Sequence, residues 1–262
     1  MTQKARAVAA RVGIAAAGAL IMNTGSSAVA APSVVAGALP LAATSTAAGV
    51  EGRHCAADLG DRISRTGLAR QLLTVEAAGL SSAVATFEMW QRDGSCWQAA
   101  GGPWTAVIGR NGFSDHHREG DGTTPTGIYG IGPEIYGNAP NPGTAFPYHT
   151  LVCGDWWDED STSTGYNTFE HVPCGQSPPF GGASEALWTE MSAYPSFAVI
   201  EYNAHPVIAY AGSAIFLHAA IGVPTAGCVA LPLAELDRVL RWLVPDQRPA
   251  IVLGPAAEIT RF

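Results

Sequence analysis

The sequence predicts a mainly β fold with a few short helices. Turn-forming residues are dense, with 30 glycines and 18 prolines among 262 residues, and short segments of alternating residues recur, as in Ser82 to Gln98. Only one long segment has a clear helical period, the one that Pro232 opens. Hydrophobic residues make up 47% of the chain, enough for a sizeable core. Strands are therefore expected to outnumber helices.

The first 30 residues have the pattern of a secretory signal peptide. Three basic residues precede an apolar run, Val12 to Met22, that is too short to span a bilayer. Ala28-Val29-Ala30 fits a cleavage site, so residues 1–30 are predicted to be a signal peptide; an uncleaved anchor is the alternative. Residues 31–54, rich in small side chains, are expected to form a flexible export linker.

Charge and compartment limit the partners that the protein can have. Cleavage after Ala30 removes three basic and no acidic residues, which lowers the net charge from −8 to −11. Nucleic-acid binding is disfavoured, because phosphate contacts need clustered basic side chains. No later apolar run reaches the length of a membrane span, so no stable span is expected after cleavage. The signal-peptide pattern therefore predicts an exported, secreted protein.

The five cysteines are odd in number, so at least one stays unpaired in an exported chain. Any chosen four allow three pairings. We predict Cys55–Cys96 and Cys153–Cys174, which leaves Cys228 free. No spacing of cysteines and histidines fits a zinc site, so neither a metal nor a cofactor is expected.

Residues 55–80 are predicted to be an N-terminal helical segment that packs on the main domain, residues 81–258. Four apolar residues lie loosely on one side of that segment: Leu68, Leu72, Leu73 and Val75. The main domain is expected to open with a β-hairpin from Ser82 to Gln98, with its turn at Arg92-Asp93-Gly94. A separate short strand is expected from Trp104 to Ile108.

The polar loop 110–127 contains the pair His116-His117. This pair allows a metal-site hypothesis, but a solvated loop is favoured. Within the loop, Thr123 to Gly127 is expected to be a turn that shapes the floor of a site, because Pro125 fixes one dihedral angle and Gly127 relaxes another.

A lobe between Cys153 and Cys174 carries Trp156, Trp157 and Tyr166-Asn167. Its aromatic side chains could bind a substrate, or the tryptophans could cap the core, and both interpretations stay open. The acidic residues of the lobe do not have the spacing of an EF-hand loop, which argues against calcium.

The C-terminal part is expected to alternate helices and strands. A short helix is predicted over Ser184 to Ser192, and strands over Phe197 to Tyr202, Ala214 to Leu217 and Ala250 to Leu253. The helix that Pro232 opens has apolar residues at three- and four-residue steps: Leu233, Leu236, Val239, Leu240 and Leu243.

His218 and Cys228 offer a base and a nucleophile, each next to a strand end. A thiol near neutral pH is mostly protonated, and an imidazole within hydrogen-bond reach can take its proton. Gly227 allows close approach of the backbone, whose N–H groups could face an oxyanion. In the alternative interpretation, Cys228 is a small inert core residue and His218 is a satisfied buried side chain.

His218 followed by Thr225-Ala226-Gly227-Cys228-Val229 resembles the L,D-transpeptidase catalytic domain of the YkuD type, which carries His and then Ser/Thr-x-Gly-Cys-Ile/Val-Arg. The segment Gly120 to Tyr129 is similar to that family's upstream Thr-Pro-x-Gly-Phe/Tyr element. The resemblance covers roughly residues 81–255. Two positions depart from the pattern: Ala219 stands where Gly is usual, and Ala230 stands where the family has an Arg that supports the site and the donor peptide.

The resemblance implies a mixed β-sandwich and an exported cysteine acyltransferase that acts on peptidoglycan stem peptides. Cys228 would attack a carbonyl next to a D-residue and form a thioester, with His218 as base. In the family a backbone carbonyl close after the His orients it, here that of Ala219; Asp115 or Asp121 is the weaker alternative.

The implied site has two groups of residues. Cys228, His218 and Gly227 are the expected catalytic residues. The expected substrate-binding residues are Thr225, Tyr166, Asn167, Trp156 and Thr126. Two other functions stay open: a cysteine peptidase or hydrolase on the same scaffold, and a non-catalytic protein that binds the cell wall.

Overall fold

The structure, a computed structural model, describes residues 55–182 and 184–262. The predicted signal peptide and linker lie outside these residues and stay predictions. The fold is mainly β, as predicted, with two α-helices, α1 (Leu59–Arg62) and α2 (Leu233–Trp242), in the described part. The strands are β1 (Gln71–Ala77), β2 (Val84–Asp93), β3 (Cys96–Val107), β4 (Phe113–Ser114), β5 (Thr124–Pro125), β6 (Gly127–Gly137), β7 (Tyr148–Thr150), β8 (Asp155–Asp158), β9 (Thr168–His171), β10 (Glu185–Ala186), β11 (Phe197–Ile200), β12 (Phe216–Ala219), β13 (Val229–Leu231) and β14 (Ala250–Pro255).

A nine-stranded mixed sheet dominates the fold, with the strand order β11-β12-β13-β3-β2-β1-β14-β6-β7. Strand β11 also pairs with β6, so the sheet curls back on itself and closes. A three-stranded sheet, β10-β8-β9, and the pair β4-β5 flank it. The expected mixed sheet architecture is thus confirmed.

The main core fills the inside of the curled sheet and continues under α2. Leu73 and Val75 of β1, Phe87 of β2 and Leu217 of β12 are fully buried in it. Helix α2 contributes the buried Leu236, Val239 and Leu240. These positions follow from the period of each element, two residues in a strand and 3.6 in a helix.

The helical segment predicted over residues 55–80 is wrong, because only α1 is helical there and β1 follows it. Strand β1 lies between β2 and β14 and has buried residues on both faces, including Leu72 and Leu73. A continuous apolar run is typical of a strand covered on both sides. Leu68, which the helical interpretation placed with them, is 73% exposed.

Two further expectations about local structure are corrected. The hairpin of β2 and β3 turns at Gly94-Ser95, and β3 continues to Val107, so residues 104–107 are not a separate strand. The segment 184–192 is not an α-helix: the two-residue strand β10 is followed by a 3-10 turn, Leu187–Thr189. The Glu185 and Ala186 backbone pairs with β8 instead.

Both predicted disulfides are confirmed, and Cys228 is free. Cys55–Cys96 ties the start of the described chain to the tip of the hairpin, and Cys153–Cys174 closes the lobe that contains β8 and β9. No helix among the described residues is long and apolar enough to cross a membrane.

Candidate active site

His218 and Cys228 are brought together by two neighbouring parallel strands. His218 lies in β12, and Cys228 immediately precedes β13. The register pairs His218 with Ala230, two residues after Cys228. Because side chains alternate along a strand, Cys228, Ala230 and His218 lie on one face of the sheet. The strand pair therefore places the cysteine and histidine side chains diagonally across from each other.

The turn before Cys228 is fixed by two threonine hydroxyls. Thr225 Oγ1 donates to the carbonyl of Cys228, 2.7 Å away, and accepts the N–H of Gly227. The fully buried Thr124 donates to the carbonyl of Gly227 at 2.7 Å. A Cβ at Gly227 would lie 3.0 Å from both Ile215 Cδ1 and the Thr123 carbonyl, so a side chain there would press on its neighbours. The sequence Thr-Ala-Gly-Cys thus holds Cys228 in one place.

Two cavities meet at Cys228, and both are also lined by Glu185 and Ala226. The first, the histidine cavity, has a volume of about 190 Å³; its remaining lining residues are Tyr194, His218, Ile221, Val223, Pro224, Thr225 and Ala230. The second, the glutamate cavity, has a volume of about 180 Å³; its remaining lining residues are His117, Glu119, Gly120, Glu159, Ser213, Ala214, Ile215 and Gly227.

The His218 ring is oriented by a backbone carbonyl, as expected. Its Nδ1 lies 2.9 Å from the carbonyl oxygen of Ala219, which can only accept, so Nδ1 carries the hydrogen. Nε2 therefore holds the lone pair. Burial lowers the pKa of His218 to about 4, although the carbonyls of Ala219 and Ala193 favour the charged ring. A neutral imidazole with a free lone pair on Nε2 is the form that a base needs.

Neither aspartate proposed as the alternative orienter is bonded to His218. Asp121 accepts hydrogen bonds from Thr123 and contacts His117, and Asp115 accepts from Thr126 and Arg261. The main-chain carbonyl of Ala219 thus orients the His218 ring, and neither aspartate does.

Cys228 is only 9% exposed and its thiol is hydrogen-bonded on both sides. Sγ donates to the Ala214 carbonyl at 3.1 Å and accepts the Phe216 N–H at 3.3 Å. Burial, and then the charge of Glu185, raises the pKa of this thiol far above its usual range. In the free protein the pair is therefore a neutral thiol and a neutral imidazole, not a preformed ion pair.

The other predicted site residues lie apart from the two cavities. Trp156 packs edge-on against Phe180 and Trp188, two aromatic side chains that follow the lobe in the sequence. Thr126 is bonded to Asp115 and the Ser114 carbonyl. These contacts favour the core-capping interpretation of Trp156 and a structural place for Thr126.

Tyr166 and Asn167 do not line either cavity but hydrogen-bond to residues that do. Tyr166 donates to Glu119, which lines the glutamate cavity. Asn167 Oδ1 accepts the Ala214 N–H at 3.0 Å, and Ala214 holds the thiol of Cys228. Both residues thus act through a neighbour that lines the glutamate cavity.

The sequence favoured a solvated position for His117, and the structure shows that this prediction is wrong. Its side chain is buried, with Nδ1 2.9 Å from Thr123 Oγ1 and 3.1 Å from Asp121 Oδ1. Its ring lies beside Gly227, with Cε1 3.6 Å from where a Cβ would be. Burial lowers its pKa, so this second imidazole near Cys228 is neutral as well.

Sequence reasoning missed the carboxyl groups of the site. Glu159 and Glu185 come from the lobe and from β10, which neighbour each other through the pairing of β8 and β10. Burial and the nearby Glu185 raise the pKa of Glu159 to about 9, and burial also raises that of Glu185. Tyr194, which donates to Glu185 and packs edge-on against His218, was missed too. No local spacing connects these residues to the cysteine motif.

A comparison with protein families matches the L,D-transpeptidase catalytic domain, YkuD, over residues 84–252, more than half of the chain. Comparisons with curated proteins and with solved structures found no match. The matched range runs from the start of β2 into β14 and includes both His218 and Cys228. The chain therefore belongs to the L,D-transpeptidase catalytic-domain family.

Proposed function

We propose that the protein is an exported cysteine acyltransferase that acts on peptidoglycan stem peptides. The observation that carries the proposal is the free Cys228, which shares a cavity with a His218 whose Nδ1 is fixed by a carbonyl. Membership of the L,D-transpeptidase family supports the substrate class. Two disulfides are compatible with an oxidising compartment and thus with export.

The first half-reaction transfers the peptide to the sulfur. The thiol turns from the Ala214 carbonyl towards His218 and gives its proton to Nε2, and Sγ attacks the peptide carbonyl. Collapse of the tetrahedral intermediate breaks the C–N bond, and the imidazolium of His218 protonates the leaving amine. The products are a thioester on Cys228 and a free amine.

The second half-reaction releases the peptide from Cys228. An acceptor amine attacks the thioester, His218 takes its proton, and the sulfur leaves as the thiol once that proton is returned. Water in place of the amine makes the protein a hydrolase. Since Gly227 N–H already donates to Thr225, it would have to leave that bond to stabilise an oxyanion.

Mass spectrometry after incubation with a carbapenem tests the nucleophile. The ring strain of the β-lactam makes it a reactive acyl donor, so the adduct on Cys228 is measured as an end point after long incubation. We expect one adduct per chain in the wild type and none in Cys228→Ala. A correctly folded wild type without an adduct would instead support the non-catalytic wall-binding alternative. Product analysis with and without a D-amino acid acceptor separates transfer from hydrolysis.

A further inference from the structure

We propose that the lobe closed by the Cys153–Cys174 disulfide binds one calcium ion, through Asp158 and Glu170 beside Gly165. Asp158 ends β8, Glu170 lies in β9, and Gly165 lies in the loop that joins these two strands. None of the three residues lines either cavity at Cys228. The inference goes beyond the proposed function and does not depend on it.

The antiparallel register of β8 and β9 places both carboxyl groups on one face of the hairpin. Asp158 pairs with Thr168, and Glu170 pairs with Trp156. Paired residues share a face, and so do residues two positions apart along a strand, so Asp158 and Glu170 are diagonal neighbours. Two like charges in such positions destabilise a hairpin, and a cation bound between them removes this cost.

Asp158 is fully buried, yet one of its carboxyl oxygens has no partner. Oδ1 accepts the N–H of Asp160 at 2.9 Å, whereas Oδ2 has no hydrogen-bond partner among the described residues. Neither Asp158 nor Glu170 forms an ion pair in the described part of the chain. Buried carboxylates in proteins are normally paired with a cation or bound to a metal ion. Oδ2 of Asp158 is therefore a candidate metal ligand.

Gly165 shows that the two carboxyl groups point to the same place. A Cβ on Gly165 would lie 3.1 Å from Asp158 Oδ2 and 2.8 Å from Glu170 Oε1. Gly165 is not among the glycines with a positive φ, so the backbone conformation does not require a glycine here. What requires it is the close approach of the two carboxyl groups, since any side chain would press against both of them.

The chemistry of the available donors selects calcium. The loop between β8 and β9 adds only oxygen donors near the carboxyl groups, among them the hydroxyls of Thr162, Ser163 and Thr164. The histidine of this hairpin, His171, pairs with Asp155 and lies on the opposite face. Calcium takes many oxygen ligands, water included, in flexible geometry, whereas zinc prefers nitrogen and sulfur. The spacing that argued against calcium in the sequence is that of an EF-hand loop alone.

The charge of this part of the chain also favours a cation. Between Arg118 and Arg238 the sequence contains 13 acidic residues and no lysine or arginine, so the acidic groups of the lobe have no basic side chain near them in the sequence. The same loop carries Tyr166 and Asn167, which hydrogen-bond to residues that line the glutamate cavity. A calcium ion at Asp158 would therefore stabilise a wall of the active site without taking part in the chemistry.

Isothermal titration calorimetry of the chelator-treated, dialysed protein with CaCl2 measures this binding directly. We expect one ion per chain with a Kd of about 0.1–1 mM, the range of extracellular calcium-binding modules. MgCl2 should bind at least about tenfold more weakly, because Mg²⁺ demands a near-ideal octahedron and gives up its water reluctantly. A folded wild type that binds no calcium, or that binds magnesium equally well, would overturn the inference.

Three variants locate the ion. Asp158→Asn and Glu170→Gln should each weaken calcium binding at least about tenfold, because each removes a charged ligand. Gly165→Ala should weaken it as well, by placing a methyl group against both carboxyl groups. Glu190→Gln, the same change of charge at an exposed position, is the matched control and should bind calcium like the wild type. Binding that persists in the two carboxyl variants would place the ion elsewhere and overturn the inference.

Urea unfolding separates a metal site from a merely structural contact, and Glu170→Gln answers the question even if Asp158→Asn does not fold. In chelator, Glu170→Gln should unfold at a higher urea concentration than the wild type, because it removes the repulsion with Asp158. Calcium at about 10 mM should raise the midpoint of the wild type and leave that of the variant unchanged. A wild-type midpoint that does not respond to calcium would contradict the site. These measurements involve no acylation, so their failure leaves the proposed function untouched.

Discussion

Replacing Glu159 by glutamine is expected to change how the stability of the protein depends on pH. The Glu159 carboxyl is buried beside Glu185, and these two causes raise its pKa from 4.5 to about 9. In the unfolded chain the pKa returns to about its ordinary value. The folded state therefore favours the neutral carboxyl, and wild-type stability falls as the pH rises from the unfolded towards the folded pKa.

The size of the effect follows from the two pKa values. Well below pH 4.5 the carboxyl is protonated in both states and contributes no pH dependence. At pH 7 the pH is 2.5 units above the pKa of the unfolded carboxyl, which is therefore ionised, while the folded carboxyl is still neutral. At about 1.4 kcal/mol for each unit, ionisation favours the unfolded state by about 3 kcal/mol. Glu159→Gln removes that contribution, because its side chain stays neutral.

Urea unfolding of the wild type and Glu159→Gln at pH 4.5, 6, 7 and 8 measures the difference. The stability of the variant relative to the wild type should rise across this range by about 3 kcal/mol between the lowest pH and pH 7. Asp246→Asn, at an exposed position, is the control and should give a nearly flat difference. A flat difference for Glu159→Gln as well would refute a raised pKa at Glu159.

Three further predictions follow from the geometry of the site and its surroundings. Thr124→Val removes the hydroxyl that holds the Gly227 carbonyl, so we expect a loss of about 2 kcal/mol in urea unfolding and slower acylation of Cys228; unchanged unfolding would contradict the role of this bond. The native Cys228 thiol should react with iodoacetamide at pH 8 at least about tenfold more slowly than in urea, because burial raises its pKa; equal rates would refute a buried neutral thiol. The double variant Cys153→Ser/Cys174→Ser opens a loop with a sequence separation of 21 and should lose about 3 kcal/mol in urea unfolding, whereas an unchanged midpoint would show that the lobe is held by packing alone.

The sequence was most informative where local chemistry determines the structure. The apolar run that ends at His218 predicts a strand, and His218 indeed lies in β12. The period of Leu236, Val239 and Leu240 predicts a helix, and these residues are buried on one side of α2. The free cysteine could be predicted because an odd cysteine count leaves one unpaired. The strand and helix inferences use residues close together in the chain, and the free cysteine needs only a count.

The errors concern residues whose environment is set by distant parts of the chain. The helix prediction for β1 failed because its conformation is determined by pairing with β14, more than 170 positions away in the sequence. His117 was expected in solvent, but the fold places it against Gly227. Glu159 and Glu185 reach the cysteine only because β8 and β10 pair. When the strand pairing is unknown, these residues read as polar loop residues, and nothing in the sequence indicates that they surround a thiol.

The parallel pairing of β1 with β14 also has a consequence for how the chain is made. Leu72 pairs with Ala250, so β1 cannot gain this neighbour until residue 250 has left the ribosome. Until then, the buried leucines of β1 have only β2 beside them. Contacts between such distant segments slow folding and leave apolar surface exposed in the meantime. A nascent chain truncated before residue 250 should therefore need a chaperone to stay soluble.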